Sequence, residues 1–149
     1  MESKKRVWSL LGKSSAADEL SAFAALRDAR DRHQVCVQRQ QKLLTMRDDY
    51  EKRLMQAGSR IQGGRDIEIC RNFILHIEGL QSLLQQQIGV LLRAIAAAER
   101  RYDLARLNTA KWSHLEDRDA ELQRRRRTMS EQKLVDENAA VRFARRIGR

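Results

Sequence analysis

Between residues 67 and 112 the apolar side chains recur at alternating steps of three and four: Ile67, Cys70, Ile74, Ile77, Gln81, Leu84, Ile88, Leu91, Ile95, Ala98, Tyr102, Ala105, Thr109 and Trp112. Only Gln81 and Thr109 on this path are not apolar. A mean step of 3.5 keeps one helical stripe facing a partner helix, so the stretch predicts the seam of a coiled coil. A strand would need period two, which is missing. One glutamine in an Ile/Leu seam fits a register-setting position.

A thinner seam precedes it: Ala22, Leu26, Ala29, His33, Cys36, Gln40, Leu43, Arg47, Tyr50, Leu54 and Ala57. It predicts a first helix over residues 16–57, entered at Ser15 with Asp18 three residues on, a weak capping-box arrangement. Residues 1–15 read as a flexible basic head carrying Lys4, Lys5 and Arg6, followed by Val7, Trp8, Leu10 and Leu11. That head is either a frayed end or a peptide that orders on a partner. The stretch GSRIQGGR, with three glycines in seven residues, predicts a turn over residues 58–66. Asp66 is then placed to cap a second helix that starts at Ile67 and runs to residue 147. So short a connection makes the helices antiparallel neighbours. The expected fold class is all-α: two long helices in an antiparallel coiled-coil hairpin, the second longer and overhanging.

Lengths sharpen this picture. A first helix of about 42 residues is about 63 Å long at 1.5 Å per residue, and the same distance beyond the turn ends near residue 108. The clean seam stops at Trp112, so the charged stretch from about residue 113 is expected to overhang, on a second helix of about 80 residues and about 120 Å if straight. That helix also carries a second stripe: Ile69, Phe73, His76, Leu80, Leu83, Gln87, Val90, Ala94, Ala97 and Leu104. It lies roughly 110° around the wheel from the seam. Either the first helix wraps it, or a third helix or another molecule covers it.

Composition agrees with long helices. The 149 residues include no proline, seven glycines, 34% charged residues and 5% aromatics. The net charge of +10 calls for an acidic partner: nucleic acid, anionic lipid or an acidic protein surface. Arg124, Arg125, Arg126 and Arg127 spread charge around the whole helix, and the last turns interleave Arg142, Arg145 and Arg146 with Val141, Phe143 and Ile147. Such an end suits a protein groove or a membrane surface. Cys36 and Cys70 form no CxxC and fall on seam positions, which reads as buried reduced thiols. With neither a secretory leader pattern nor an 18-residue apolar run, the expected location is the cytoplasm.

Enzyme chemistry finds no footing. Gly63 and Gly64 lack the Lys-Ser/Thr of a phosphate loop. His33, His76 and His114 are far apart, with neither a nucleophile nor a metal-ligand cluster around them. Adjacent acids such as Asp48 and Asp49 point apart on a helix. The chain is expected to be no enzyme and to need no cofactor or metal.

Leu43, Tyr50 and Leu54 before the glycine break, then Asn72, Phe73, Ile74, Ile77, Glu78 and Leu80 after it, resemble the flagellar FliJ proteins. So does the tail with Gln132, Lys133, Asp136, Glu137, Ala139 and Arg145. The resemblance spans residues 20–146; residues 1–15 depart from the usual flagellar start, which leaves the virulence-secretion counterparts of this stalk family (the SctO/YscO group) open. It implies a cytoplasmic stalk of type III protein export: a two-helix coiled coil similar to the central stalk of rotary ATPases. Its implied partners are the hexameric export ATPase, whose ring takes the end carrying both termini, the cytoplasmic domain of the export gate, and export chaperones. Through them it would be peripheral to the inner membrane. The positions matching the gate-binding stretch are Phe73, Ile77, Leu80 and Leu84. For the ATPase ring the expected residues are Arg124, Arg125, Arg126, Arg127, Arg142, Arg145 and Arg146. Two other readings compete: a basic coiled coil on nucleic acid, disfavoured by interleaved acids and one tail aromatic, and a structural homodimer joined through the second stripes.

Overall fold

With no proline to break it, the chain forms two helices, α1 (Glu2–Gly58) and α2 (Gly64–Ile147). The computed structural model describes residues 2–58 and 64–148, leaving aside the side chains of Glu2 and Ala57. There is no strand among the described residues, and the two helices pack as the expected all-α hairpin. Most of the expected turn, residues 59–63, lies outside the described residues, as does the side chain of the seam residue Ala57.

Two boundaries differ from the sequence expectation. Helix α1 starts at Glu2 rather than near residue 16, so the stretch expected to be a flexible head is helical. The reason is visible on its inner face, where Trp8, Gly12, Ser15 and Glu19 are buried or half-buried. They continue backward the three/four spacing that begins at Ala22; Gly12, Ser15 and Glu19 put small or polar residues where apolar ones are expected, before Trp8 restores an apolar one. Helix α2 starts at Gly64, which puts Asp66 inside the first turn rather than at the cap. Its carboxylate still faces the positive end of the helix dipole. At the other end the Gly148 amide donates to the Ala144 carbonyl at 3.1 Å.

The chain divides into two compact units: Leu20–Leu104, and Met1–Glu19 with Ala105–Arg149. In the first, every described seam position is buried or half-buried, from Ala22 to Leu54 on α1 and from Ile67 to Tyr102 on α2. Ala22, Leu26, Cys36 and Ile77 form its driest part. Phe23 leans on Tyr102 with ring centroids 5.6 Å apart, and Tyr50 stacks on Phe73 at 5.1 Å and 7°. Numbers rise on α1 as they fall on α2, which fixes the antiparallel sense. Ion pairs join Arg30 to Glu99 at 3.1 Å and Arg47 to Glu78 at 3.5 Å. Both are largely exposed, and exposed pairs contribute only about 0–1 kcal/mol.

In the second unit, Trp8 meets Trp112 at 5.5 Å, and the Ser15 and Thr109 hydroxyls lie 3.1 Å apart. Half-buried residues on α2 continue through Leu115, Asp119, Ala120 and Gln123. From residue 124 to 148 every side chain is exposed. The uncovered stretch thus begins about ten residues later than expected, because α1 is longer at its start.

Candidate functional site

Two surfaces can meet partners, one in each unit. The first is the flank of α2. A two-helix hairpin has one mutual face, so a second stripe about 110° away must look outward. All ten of its positions are exposed, from Ile69 to Leu104. Helix α1 touches only its edge, through Tyr50 on Phe73 and Leu43 near Leu80 and Leu83, and leaves the stripe open to solvent.

The four gate-matching positions separate on this geometry. Phe73 is 46% exposed and Leu80 37%, both on the flank. Leu84 is half-buried at the edge of the seam, and Ile77 is buried at 3%. Ile77 can hold the helix in place but cannot offer its side chain to a partner. Phe73 is itself supported: its ring lies flat on Tyr50, and the Arg53 guanidinium stands 5.5 Å from the Tyr50 ring centre. Arg47 reaches Glu51 at 3.1 Å as well as Glu78, tying down the acid beside Ile77. Next along, Leu80, Leu83 and Leu84 with Leu43 floor a groove of about 400 Å³ whose rim carries Arg39 and Lys42. Leu83, Leu43, Arg39 and Lys42 were not among the expected site residues; the sequence sets Leu83 on the second stripe and Leu43 on the α1 seam, but the groove that joins them with Arg39 and Lys42 forms only where α1 lies beside α2. Within the seam, the buried Gln81 amide Nε2 has no hydrogen-bond partner among the described residues.

The second surface is the uncovered end of α2. Residues 124–149 hold nine cations against three acids, Glu131, Asp136 and Glu137, a net +6 of the chain's +10. Arg124, Arg125, Arg126, Arg127, Arg142, Arg145 and Arg146 are all exposed. Arg125 pairs with Glu121 one turn back at 2.6 Å, a local contact that leaves its charge facing water. Four consecutive residues step 100° each, so the arginine run covers all sides of the helix.

Chemistry of other kinds is not assembled. Among the described residues no three His, Cys, Asp or Glu side chains could hold a metal. Cys36 and Cys70 are free thiols, the first buried and the second half-buried. No described helix is long and apolar enough to cross a membrane.

A family model described as "Flagellar FliJ protein" matches residues 14–148. No curated protein and no solved structure matches the chain. The match takes in the paired helices, the exposed flank and the basic end together, and the chain accordingly belongs to the FliJ family, components of the flagellar protein export apparatus.

Proposed function

We propose that this protein is a cytoplasmic stalk that couples the export ATPase to the export gate. The uncovered basic end, residues 124–148, enters the ring of the hexameric ATPase, and the α2 flank around Phe73, Leu80 and Leu84 contacts the cytoplasmic domain of the gate. The observation that carries this reading is a helical segment bearing +5 on which no other described residue packs. A charged rod with a free circumference can interact with several subunits of a ring at once. Long-range electrostatics brings it in, and differential contacts with alternative subunit conformations bias the cycle without chemistry of its own. The exposed flank supports a second, simultaneous contact, because it lies in the other unit and shares no residue with the basic end. In the same role the flank takes export chaperones, and the protein sits at the inner membrane through its partners alone.

The test is ATP turnover by the cognate export ATPase at moderate salt, with and without this protein. Wild type should raise turnover or ring assembly, and a variant with Arg124, Arg125, Arg126 and Arg127 changed to Ser should lose most of the effect. No association and no change in turnover would end the stalk reading. A homodimeric adaptor is the competing reading favoured by the exposed stripe; light scattering that gives a monomer at working concentration removes it.

A further inference from the structure

Leucines on a surface are common, but these stand in an unusual electrostatic setting. Helix α2 contains no Asp or Glu from residue 79 to residue 98, and Arg93 is its only charge there. The groove over Leu80, Leu83 and Leu84 has no acidic residue in its lining, and its α1 rim is cationic through Arg39 and Lys42. Neither cation has an ion-pair or hydrogen-bond partner among the described residues, whereas Arg30, Arg32 and Arg47 on the same helix each hold a carboxylate. The nearest α2 acid, Glu78, is occupied by Arg47. The groove therefore combines an apolar floor, one positive edge and no competing negative charge.

We propose that this groove binds an amphipathic helix from another protein, with leucine-sized anchors at i, i+3 or i+4 and i+7 and acidic residues along one edge. The shape asks for a helix. Leu80, Leu83 and Gln87 follow three/four spacing along α2, the arrangement that accepts knobs from a third helix laid lengthwise along the groove. Acids on one edge of the incoming helix would meet Arg39 and Lys42, fixing its register and direction. A second copy of this chain is the poorer occupant, since it brings another +10 to an already positive rim. The inference rests on the reading that the α2 flank docks the export apparatus, and it names the chemistry of what docks there.

The probe is a fluorescein-labelled synthetic helix of three heptads with leucine anchors and glutamates on one edge, titrated against the full chain by anisotropy. Controls are the same peptide with glutamine, and with lysine, at those edge positions. The glutamate peptide should bind at least about tenfold tighter than the glutamine peptide and weaken as salt rises. Leu83→Asp, at a position 59% exposed and so harmless to the fold, should abolish binding. In the double variant Arg39→Glu with Lys42→Glu the preference should reverse toward the lysine peptide. Equal affinity for the glutamate and glutamine peptides, or binding that survives Leu83→Asp, would overturn the proposal. A dimer in sedimentation that Leu83→Asp dissociates and the peptide does not displace would do the same. The gate's cytoplasmic domain is assayed in parallel with Phe73→Ala. Gate binding lost in that variant while no peptide binds sinks only the groove proposal; peptide binding without any gate binding sinks only the gate contact.

Discussion

The two units obey the same spacing with different residues. On α2 the seam of the unit Leu20–Leu104 is Ile67, Cys70, Ile74, Ile77, Gln81, Leu84, Ile88, Leu91, Ile95, Ala98 and Tyr102. In the other unit α1 contributes Trp8, Gly12, Ser15 and Glu19, and α2 contributes Ala105, Thr109, Trp112, Leu115, Asp119 and Gln123. Both seams are shielded from water. The first shields branched aliphatic side chains, each of which stabilises by about 1.5–3 kcal/mol when fully buried. The second shields hydroxyls, a glycine and carboxylates, with one pair of tryptophans as its main apolar contact. Spacing decides where two helices touch; residue identity decides how strongly. The difference predicts a tight unit and a loose one within the same pair of helices.

The largest effect should come from Ile77, the most buried branched residue on α2. Ile77→Ala is expected to cost about 2–5 kcal/mol, read as a drop in the thermal midpoint of helicity, while Leu107→Ala at a position 67% exposed should move it little. Similar losses at both sites would dissolve the contrast. Next comes the tryptophan pair. Trp8 and Trp112 are the protein's only tryptophans, so its indole fluorescence reports the loose unit alone. Fluorescence should change at lower temperature or denaturant than the helicity signal at 222 nm. Coincident transitions would mean one cooperative structure. Trp8→Ala should remove about 0.5–1.5 kcal/mol of aromatic pairing beyond its area term, with a red shift from Trp112 and little change in the main helicity transition.

Smaller effects sharpen the picture further. Gln81→Leu should stabilise by about 1 kcal/mol, because the buried amide Nε2 lacks a partner and the new side chain matches its neighbours. A loss of stability there would point to a bond that the seam needs. The Ser15–Thr109 hydrogen bond should contribute about 1 kcal/mol in a double-mutant cycle with Ser15→Ala and Thr109→Val. The exposed Arg30–Glu99 pair should yield under about 0.5 kcal/mol in the same kind of cycle, falling further in salt.

Much of this fold is legible in the sequence. Every α2 seam position from Ile67 to Trp112 and every described α1 position from Ala22 to Leu54 is buried or half-buried, because an aliphatic residue at a regular step leaves a clear trace in sequence. The early turns of α1 were not legible. Gly12, Ser15 and Glu19 keep the spacing but not the apolarity, so a search for hydrophobic residues passes over them, and only counting back in threes and fours from Ala22 finds them. Gly64 opens a helix although its sequence context predicts a turn, since glycine carries no signal that separates the two roles. The second stripe was legible as a pattern, but that α1 leaves it exposed was not; that depends on the direction in which α1 approaches. Arg39 and Lys42 gained meaning only from standing across from Leu80 and Leu83, a relation between residues some forty positions apart.

The uncovered end of α2 carries a consequence for the lifetime of the protein. A helix of about 25 residues with no tertiary support opens and closes freely in water, since most helical stability in proteins comes from packing. Each opening presents peptide bonds beside Arg124, Arg125, Arg126, Arg127, Arg142, Arg145 and Arg146 to any protease with a taste for basic residues. A partner that closes around this segment suppresses the opening in proportion to its occupancy. On the stalk reading proposed above, copies without a partner are expected to be cut first, which limited trypsin digestion with and without the export ATPase would show as loss or protection of this segment.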